Sequence, residues 1–199
     1  MGGFAIRRQH LILGLGWPNL ISVGRILLVP LLVALVLSED RGAAYAAAAI
    51  FLAGALSDGL DGYLARRYGT RTRTGEWLDP LADKVFVAAP LVALSALGRF
   101  PVWVAVVILV REVGVTLLRT MLGRRGIAMP ASNLAKWKTS FQLVAITLYL
   151  LPLASGWTPV RLGVLTVALG LTIWTGIDYL IRAMRFRGVA PAPYEEKRL

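Results

Sequence analysis

The sequence predicts an all-α integral membrane protein: six transmembrane helices in a single bundle, with both termini cytoplasmic. Three observations lead there. Hydrophobic residues make up 57% of the 199 positions and charged residues only 17%, below the roughly 25% charged of a soluble domain. The apolar residues fall in six runs, each near the roughly 20 residues that a helix needs to cross a bilayer. The basic residues, which set a net charge of +11, collect on alternate loops. Together these exclude a disordered chain, a coiled coil and a conventional water-soluble enzyme.

The N-terminal segment, residues 1–17, carries Arg7 and Arg8 ahead of a short apolar stretch that Pro18 ends. No small-residue cleavage site follows, so a cleaved leader is not expected; residues 3–12 are expected to form a short interfacial helix. The spans are expected at residues 19–37, 43–64, 78–97, 102–122, 134–153 and 160–181. Turn signals separate them: Ser38 to Gly42, Tyr68-Gly69, Gly98 to Pro101, Gly123 to Pro130, and Ser155 to Pro159. Short loops and the absence of an internal repeat make residues 1–199 one domain, with a Pro-rich, charged and mobile tail at 188–199.

Six spans put both termini on one side. That side gathers Arg66, Arg67, Arg71, Arg73, Arg124, Arg125, Lys136, Lys138 and the basic residues of both ends, whereas the opposite loops hold only Arg41, Arg99 and Arg161. The positive-inside rule makes it the cytoplasmic side. Trp17, Trp77 and Trp137 fall near that interface, and Trp103 and Trp157 near the other, as an aromatic belt does. Basic residues placed between apolar runs suit an anionic membrane surface and phosphate-bearing substrates; no nucleic acid is expected as a partner. No cysteine is present, which excludes disulfides and thiolate metal sites. His10 is the sole histidine and a poor catalytic candidate.

The chemistry concentrates between Ser57 and Lys84. Acids cost about 2.5–3.5 kcal/mol each at the centre of a membrane helix, yet Asp58, Asp61, Asp79 and Asp83 lie at the ends of two successive spans. Residues three or four apart share a helix face. Asp58, Asp61, Gly62 and Ala65 therefore line one stripe, and Gly75, Asp79 and Asp83 another, with one short basic loop between. Pro80 disfavours helical geometry at Asp79, so the second alignment holds only if Asp79 is helical. A lone Asp-x-x-Asp-Gly is usually a helix end or a turn; four acids with small residues and arginine at fixed offsets are not. Clustered carboxylates repel, and all-oxygen ligation suits Mg²⁺ or Mn²⁺. Two such ions can clamp a phosphate or pyrophosphate. Gly62, Ala65 and Gly75 leave room for a ligand against the backbone, and Arg66 offers a bidentate fork.

These residues match without a gap the pattern D-x2-D-G-x2-A-R-x8-G-x3-D-x3-D, and the sequence thereby resembles the CDP-alcohol phosphatidyltransferase family. The resemblance covers most of the chain. It implies a membrane enzyme that displaces CMP from a CDP-linked lipid and that forms a homodimer. It implies two divalent ions on Asp58, Asp61, Asp79 and Asp83, with Asp83 as general base. It also implies CDP binding by Asp58, Gly62, Ala65, Arg66 and Gly75.

Within the family the wording is most similar to the phosphatidylglycerophosphate synthase branch. Pro18-Asn19 and Arg25, the run Asp79-Pro80 to Asp83-Lys84, Arg111-Glu112 with Leu118-Arg119, and Lys136-Trp137-Lys138-Thr139 carry that likeness. Gly59 departs from it, standing where tryptophan is common. The branch implies transfer of the phosphatidyl group from CDP-diacylglycerol to glycerol 3-phosphate, in the plasma (inner) membrane, with the site facing the cytoplasm. A dianionic acceptor needs cations, for which Arg111, Arg119, Lys136 and Lys84 are the candidates. The bland alternatives are that Arg111 pairs with an acid on a neighbouring span and that Lys138 snorkels to headgroups. Asp178 and Arg182, four apart, read as a structural ion pair. Two rival functions stand beside this one. Phosphatidylglycerol as acceptor would give cardiolipin. A divalent-cation transporter would use the acids but leave Gly62, Ala65, Arg66 and Gly75 unexplained.

Overall fold

The computed structural model describes residues 17–38, 40–68, 75–127, 129 and 132–185, with side chains described for 23–38, 40–57, 81–127, 129 and 132–185. The expected interfacial helix at 3–12 and the tail at 188–199 lie outside the described residues. Six α-helices follow in order: α1 (Trp17–Leu37), α2 (Arg41–Tyr68), α3 (Gly75–Ala96), α4 (Val102–Arg124), α5 (Asn133–Leu150) and α6 (Thr158–Arg185), with a 3-10 turn at Ser155–Trp157. Among the described residues there is no strand.

Local chemistry sets the boundaries. Asp40 caps α2: its Oδ2 accepts from Ala43 N at 2.9 Å and its carbonyl from Ala44 N, so the helix starts two residues before the expected Ala43. Ser132 does the same for α5 through Ala135 N, at 3.2 Å. Helix α5 stops three residues before the expected end, because Pro152 disfavours helical geometry at Leu151. Helix α4 ends in a Schellman motif. Ile127 N donates to Leu122 O and Gly126 N to Gly123 O, and Gly126 takes the left-handed φ of +77° that this motif requires. Pro159 sits in the first turn of α6, where its missing N–H costs nothing.

The contacts group into two compact units. The first holds α1–α3 and residues 150–152. Here α1 packs most closely on α3 and less extensively on α2. Leu32 and Val36 of α1, Ala44, Ala47, Ala48 and Phe51 of α2, and Ala82, Phe86, Leu91 and Leu94 of α3 are buried. The alanines let helix backbones approach closely, as at membrane helix interfaces. The second unit holds α4–α6, with α4 packed on α6. At one end of it Leu122, Met129, Tyr179 and Ala183 form a buried cluster, joined by Ile127 from the Schellman turn.

Among the described residues, only Ser155–Arg185 is by itself long and apolar enough to cross a membrane; Val23–Leu37 and Arg41–Ser57 are shorter apolar helices. Charge and polarity explain why α4 and α5 fall short: Arg111, Glu112 and Arg119 interrupt α4, and Asn133, Lys136, Lys138 and Gln142 make α5 less apolar. Large apolar side chains nevertheless stand exposed along the helices, among them Val106, Val110, Val113, Leu117 and Met121 on α4.

Candidate functional site

In the first unit, the site begins where α2 meets α3. Phe51 of α2 and Phe86 of α3 stack with centroids 5.8 Å apart and planes 9° from parallel. Gly54, one turn along from Phe51, lies under the Phe86 ring so closely that a Cβ there would sit 2.4 Å from Cζ. The absence of a side chain at Gly54 lets the ring in.

The helical repeat extends both stripes from this contact. Along α2, Phe51, Gly54, Asp58, Asp61 and Ala65 recur at intervals of three or four, so they share a face. Along α3 the corresponding set is Gly75, Asp79, Asp83 and Phe86. Helix α3 starts at Gly75, ahead of the expected Leu78, so Asp79 is helical despite Pro80, and its offset from Asp83 is a true helical turn. The four acid positions thus continue the two faces that pack at Phe51, Gly54 and Phe86. The side chains of Asp58, Asp61, Gly62, Ala65, Arg66, Gly75 and Asp79 lie outside the described residues. Asp83 is described: it is 39% exposed, and its Oδ2 stands 3.4 Å from Lys84 Nζ. The same unit buries one cation of α1, Arg25, at 4% exposure. Sequence reading used Arg25 only as a mark of likeness; a charge inside an apolar run was the signal that it is buried beside the acids' helices.

The second unit holds a separate charged cluster. Glu112 of α4 accepts through Oε1 from Lys138 Nζ of α5 and, at 3.2 Å, from Arg111 Nη1. Arg111 Nη2 donates to Thr175 Oγ1 of α6 at 2.8 Å, and the guanidinium carbon stands 5.8 Å from the Tyr179 ring centroid. Side-chain exposure is 12% for Arg111, 9% for Glu112 and 3% for Lys138. Arg111 therefore pairs with the acid next to it on its own helix, while the neighbouring helix supplies a hydroxyl. Lys138 does not snorkel: it is buried on Glu112. Arg119 and Lys136 are exposed, and no side-chain hydrogen bond or ion pair joins either to this cluster. Two positions along a helix turn it by about 200°, which is why Lys136 and Lys138 face different ways. Sequence reading missed Glu112 as an organising residue; the signal was an acid beside Arg111 inside an apolar helix. The expected pair Asp178–Arg182 is present at 2.9 Å.

Comparison with known proteins gives the family. Residues 15–174 match the family described as CDP-alcohol phosphatidyltransferase. The chain is 43% identical over 170 residues to a protein of Mycobacterium tuberculosis named probable phosphatidylglycerophosphate synthase, covering 84% of this chain and 81% of that one. It is 35% identical over 177 residues to the CDP-diacylglycerol–glycerol-3-phosphate 3-phosphatidyltransferase of Bacillus subtilis, covering 81% and 92%. A rice protein named cardiolipin synthase (CMP-forming) is 35% identical over 188 residues, covering 84% of this chain and 57% of its own.

Proposed function

The chain belongs to the CDP-alcohol phosphatidyltransferase family, and we propose that it transfers the phosphatidyl group of CDP-diacylglycerol to glycerol 3-phosphate, releasing CMP. The observation that carries this is the gapless eight-position signature from Asp58 to Asp83, set on two stripes that share the α2–α3 packing face. The family is membrane-integral, and its members generally depend on a divalent metal. The exposed apolar stripes suit lipid better than water. Six spans in one bundle, a single domain over residues 1–199, cytoplasmic termini, an inner-membrane site facing the cytoplasm and a homodimer are the finer parts of the reading. The six apolar runs and the lysine and arginine distribution support the spans and their orientation.

The donor set fits a hard cation, because all four groups are carboxylates and none is a softer ligand. Asp58, Asp61, Asp79 and Asp83 would hold two Mg²⁺ or Mn²⁺ ions, which when bound neutralise the pyrophosphate and polarise its phosphorus. The chain's own groups do the rest. Arg66 forks onto the nucleotide's phosphate, with Gly62, Ala65 and Gly75 leaving space along the backbone and Asp58 adding a contact. Asp83 takes the proton of the primary hydroxyl of glycerol 3-phosphate, or orients it. The hydroxyl oxygen bonds to the phosphorus that carries diacylglycerol, and the bond from that phosphorus to CMP breaks. Of the cations expected to hold the acceptor's phosphate, Arg111 is the one buried in the charged cluster; Arg119, Lys136 and Lys84 are candidates from the sequence alone.

The rice relative's name makes phosphatidylglycerol the second acceptor to consider. The test supplies detergent-purified protein with Mg²⁺, CDP-diacylglycerol and labelled glycerol 3-phosphate or phosphatidylglycerol, following lipid-phase label and CMP. Label from glycerol 3-phosphate alone supports the reading. Label from phosphatidylglycerol alone overturns the acceptor. No CMP with either acceptor overturns the reaction.

A further inference from the structure

The first unit buries a charge that the reaction scheme above does not use. Arg25 stands seven positions before Leu32 and eleven before Val36, so all three lie on the packed face of α1. A guanidinium taken out of water is costly unless an anion meets it. The unit's carboxylate residues fall in two groups. Glu39 and Asp40 follow the end of α1 in sequence, and that end is about 18 Å along the helix from Arg25. The other group is the four aspartates of the signature and Glu76.

Helix lengths place Arg25 at the level of the second group. Residues 38–40 join α1 to α2, so Leu37 and Arg41 stand near one level and the two helices run in opposite directions. Phe51 lies about 15 Å along α2 from Arg41. The same distance back along α1 reaches Leu27, and Arg25 is about 3 Å further. Phe86 of α3 stacks on Phe51. Were α3 parallel to α2, the six residues between them would have to span roughly 40 Å, beyond their reach. Helix α3 therefore runs back alongside α2, and Asp83 lies about 4.5 Å beyond the stacked rings, on the same side as Arg25. Asp79 and Asp58 follow about one turn further on. Since α1 packs most closely on α3, a buried cation and the acid positions share one layer of the unit. Lys84, 3.4 Å from Asp83, is partly exposed and screened by water, whereas Arg25 is not.

We infer that Arg25 is the resident counter-ion of the aspartate cluster: it neutralises part of the cluster's charge in the metal-free protein and thereby lowers the cluster's affinity for divalent cations. This rests on the carboxylate metal site of the functional reading above. Arg25 and a divalent ion repel each other and draw on the same carboxylates. Removing Arg25 leaves the aspartates to repel one another with less relief, which destabilises the metal-free protein. It also lets an incoming ion meet more negative charge, which tightens metal binding. An arginine that only packed α1 against α3 would, once replaced, leave metal affinity unchanged or weaker.

The experiment measures melting midpoints of the full chain in detergent, without substrate, in EDTA and across a titration of Mn²⁺. Bound Mn²⁺ is followed by electron paramagnetic resonance. The proteins are wild type, Arg25→Met, Arg25→Gln and Arg25→Lys. In EDTA, Arg25→Met is expected to melt about 5–10 °C below wild type, and saturating Mn²⁺ should restore most of the difference. Its half-saturating Mn²⁺ concentration should fall at least about tenfold, the lower end of what one neighbouring charge does to a carboxylate's affinity for a proton. Arg25→Gln should follow Arg25→Met, and Arg25→Lys, which keeps the charge, should stay near wild type. An unchanged or higher half-saturating concentration in Arg25→Met overturns the inference, as does equal tightening in Arg25→Lys. Failure of both neutral variants to fold in Mn²⁺ also overturns it, because the metal should take over the neutralisation. If neither wild type nor the neutral variants bind Mn²⁺, the metal site itself fails and the inference falls with it.

Discussion

Replacing Gly54 by alanine tests the packing that joins the two acidic stripes. The new Cβ would stand 2.4 Å from Phe86 Cζ, 2.7 Å from Cε1 and 3.2 Å from Cε2, where carbon atoms normally rest about 3.5–4.0 Å apart. The ring must therefore shift by more than about 1 Å. It has little freedom to do so, being buried and stacked on Phe51, itself fully buried. Overpacking of this kind costs about 1–3 kcal/mol. Alanine's better helix propensity returns about 1 kcal/mol, so the net destabilisation is expected at about 1 kcal/mol. The assay is a double-mutant cycle on thermal stability in detergent with Gly54→Ala, Phe86→Leu and both together. Leucine removes the ring atoms that clash, so the second change should cost less in the Gly54→Ala background than alone, with a coupling of about 1 kcal/mol or more. Because Asp58 and Asp61 ride on α2 and Asp79 and Asp83 on α3, the Mg²⁺ concentration for half-maximal activity should rise in Gly54→Ala. Zero coupling together with unchanged metal dependence would refute both the close approach and its link to the carboxylates.

Three further outcomes are expected. Asp83→Asn should lower kcat by at least about 10²-fold, the usual contribution of a positioned base, with folding judged by size-exclusion elution; near-wild-type turnover would remove Asp83 from that role. Chelation by EDTA should abolish turnover, and added Mg²⁺ or Mn²⁺ should restore it; activity that survives EDTA and dialysis would contradict the carboxylate metal site. Gly126→Ala should lower stability by about 1 kcal/mol, since φ of +77° strains any residue with a Cβ, without altering KM for either substrate; an unchanged melting midpoint would show that the Schellman turn contributes nothing.

Sequence alone determined the six helices and the acidic stripes, because both depend on neighbours along one helix. A run of apolar residues is a local property. So is the three-and-four spacing of Asp58 with Asp61 and of Gly75, Asp79 and Asp83, and so is the Asp178–Arg182 pair. The helix ends shifted where a single local group acted: Asp40 as a cap, Pro152 as a stop. What only the tertiary structure decided lies between helices. Hydropathy could not say that Gly54 receives Phe86, 32 positions on, since a glycine in an apolar helix looks the same whether or not a ring fills the space. Nor could it say that Lys138 turns inward to Glu112, 26 residues away, while Lys136 stays exposed. Both lysines fit a basic helix end, and the choice between water and a buried carboxylate is made by the helix packed alongside. The physical reason is the same in each case: periodicity shows which residues share a face, and packing shows what that face meets.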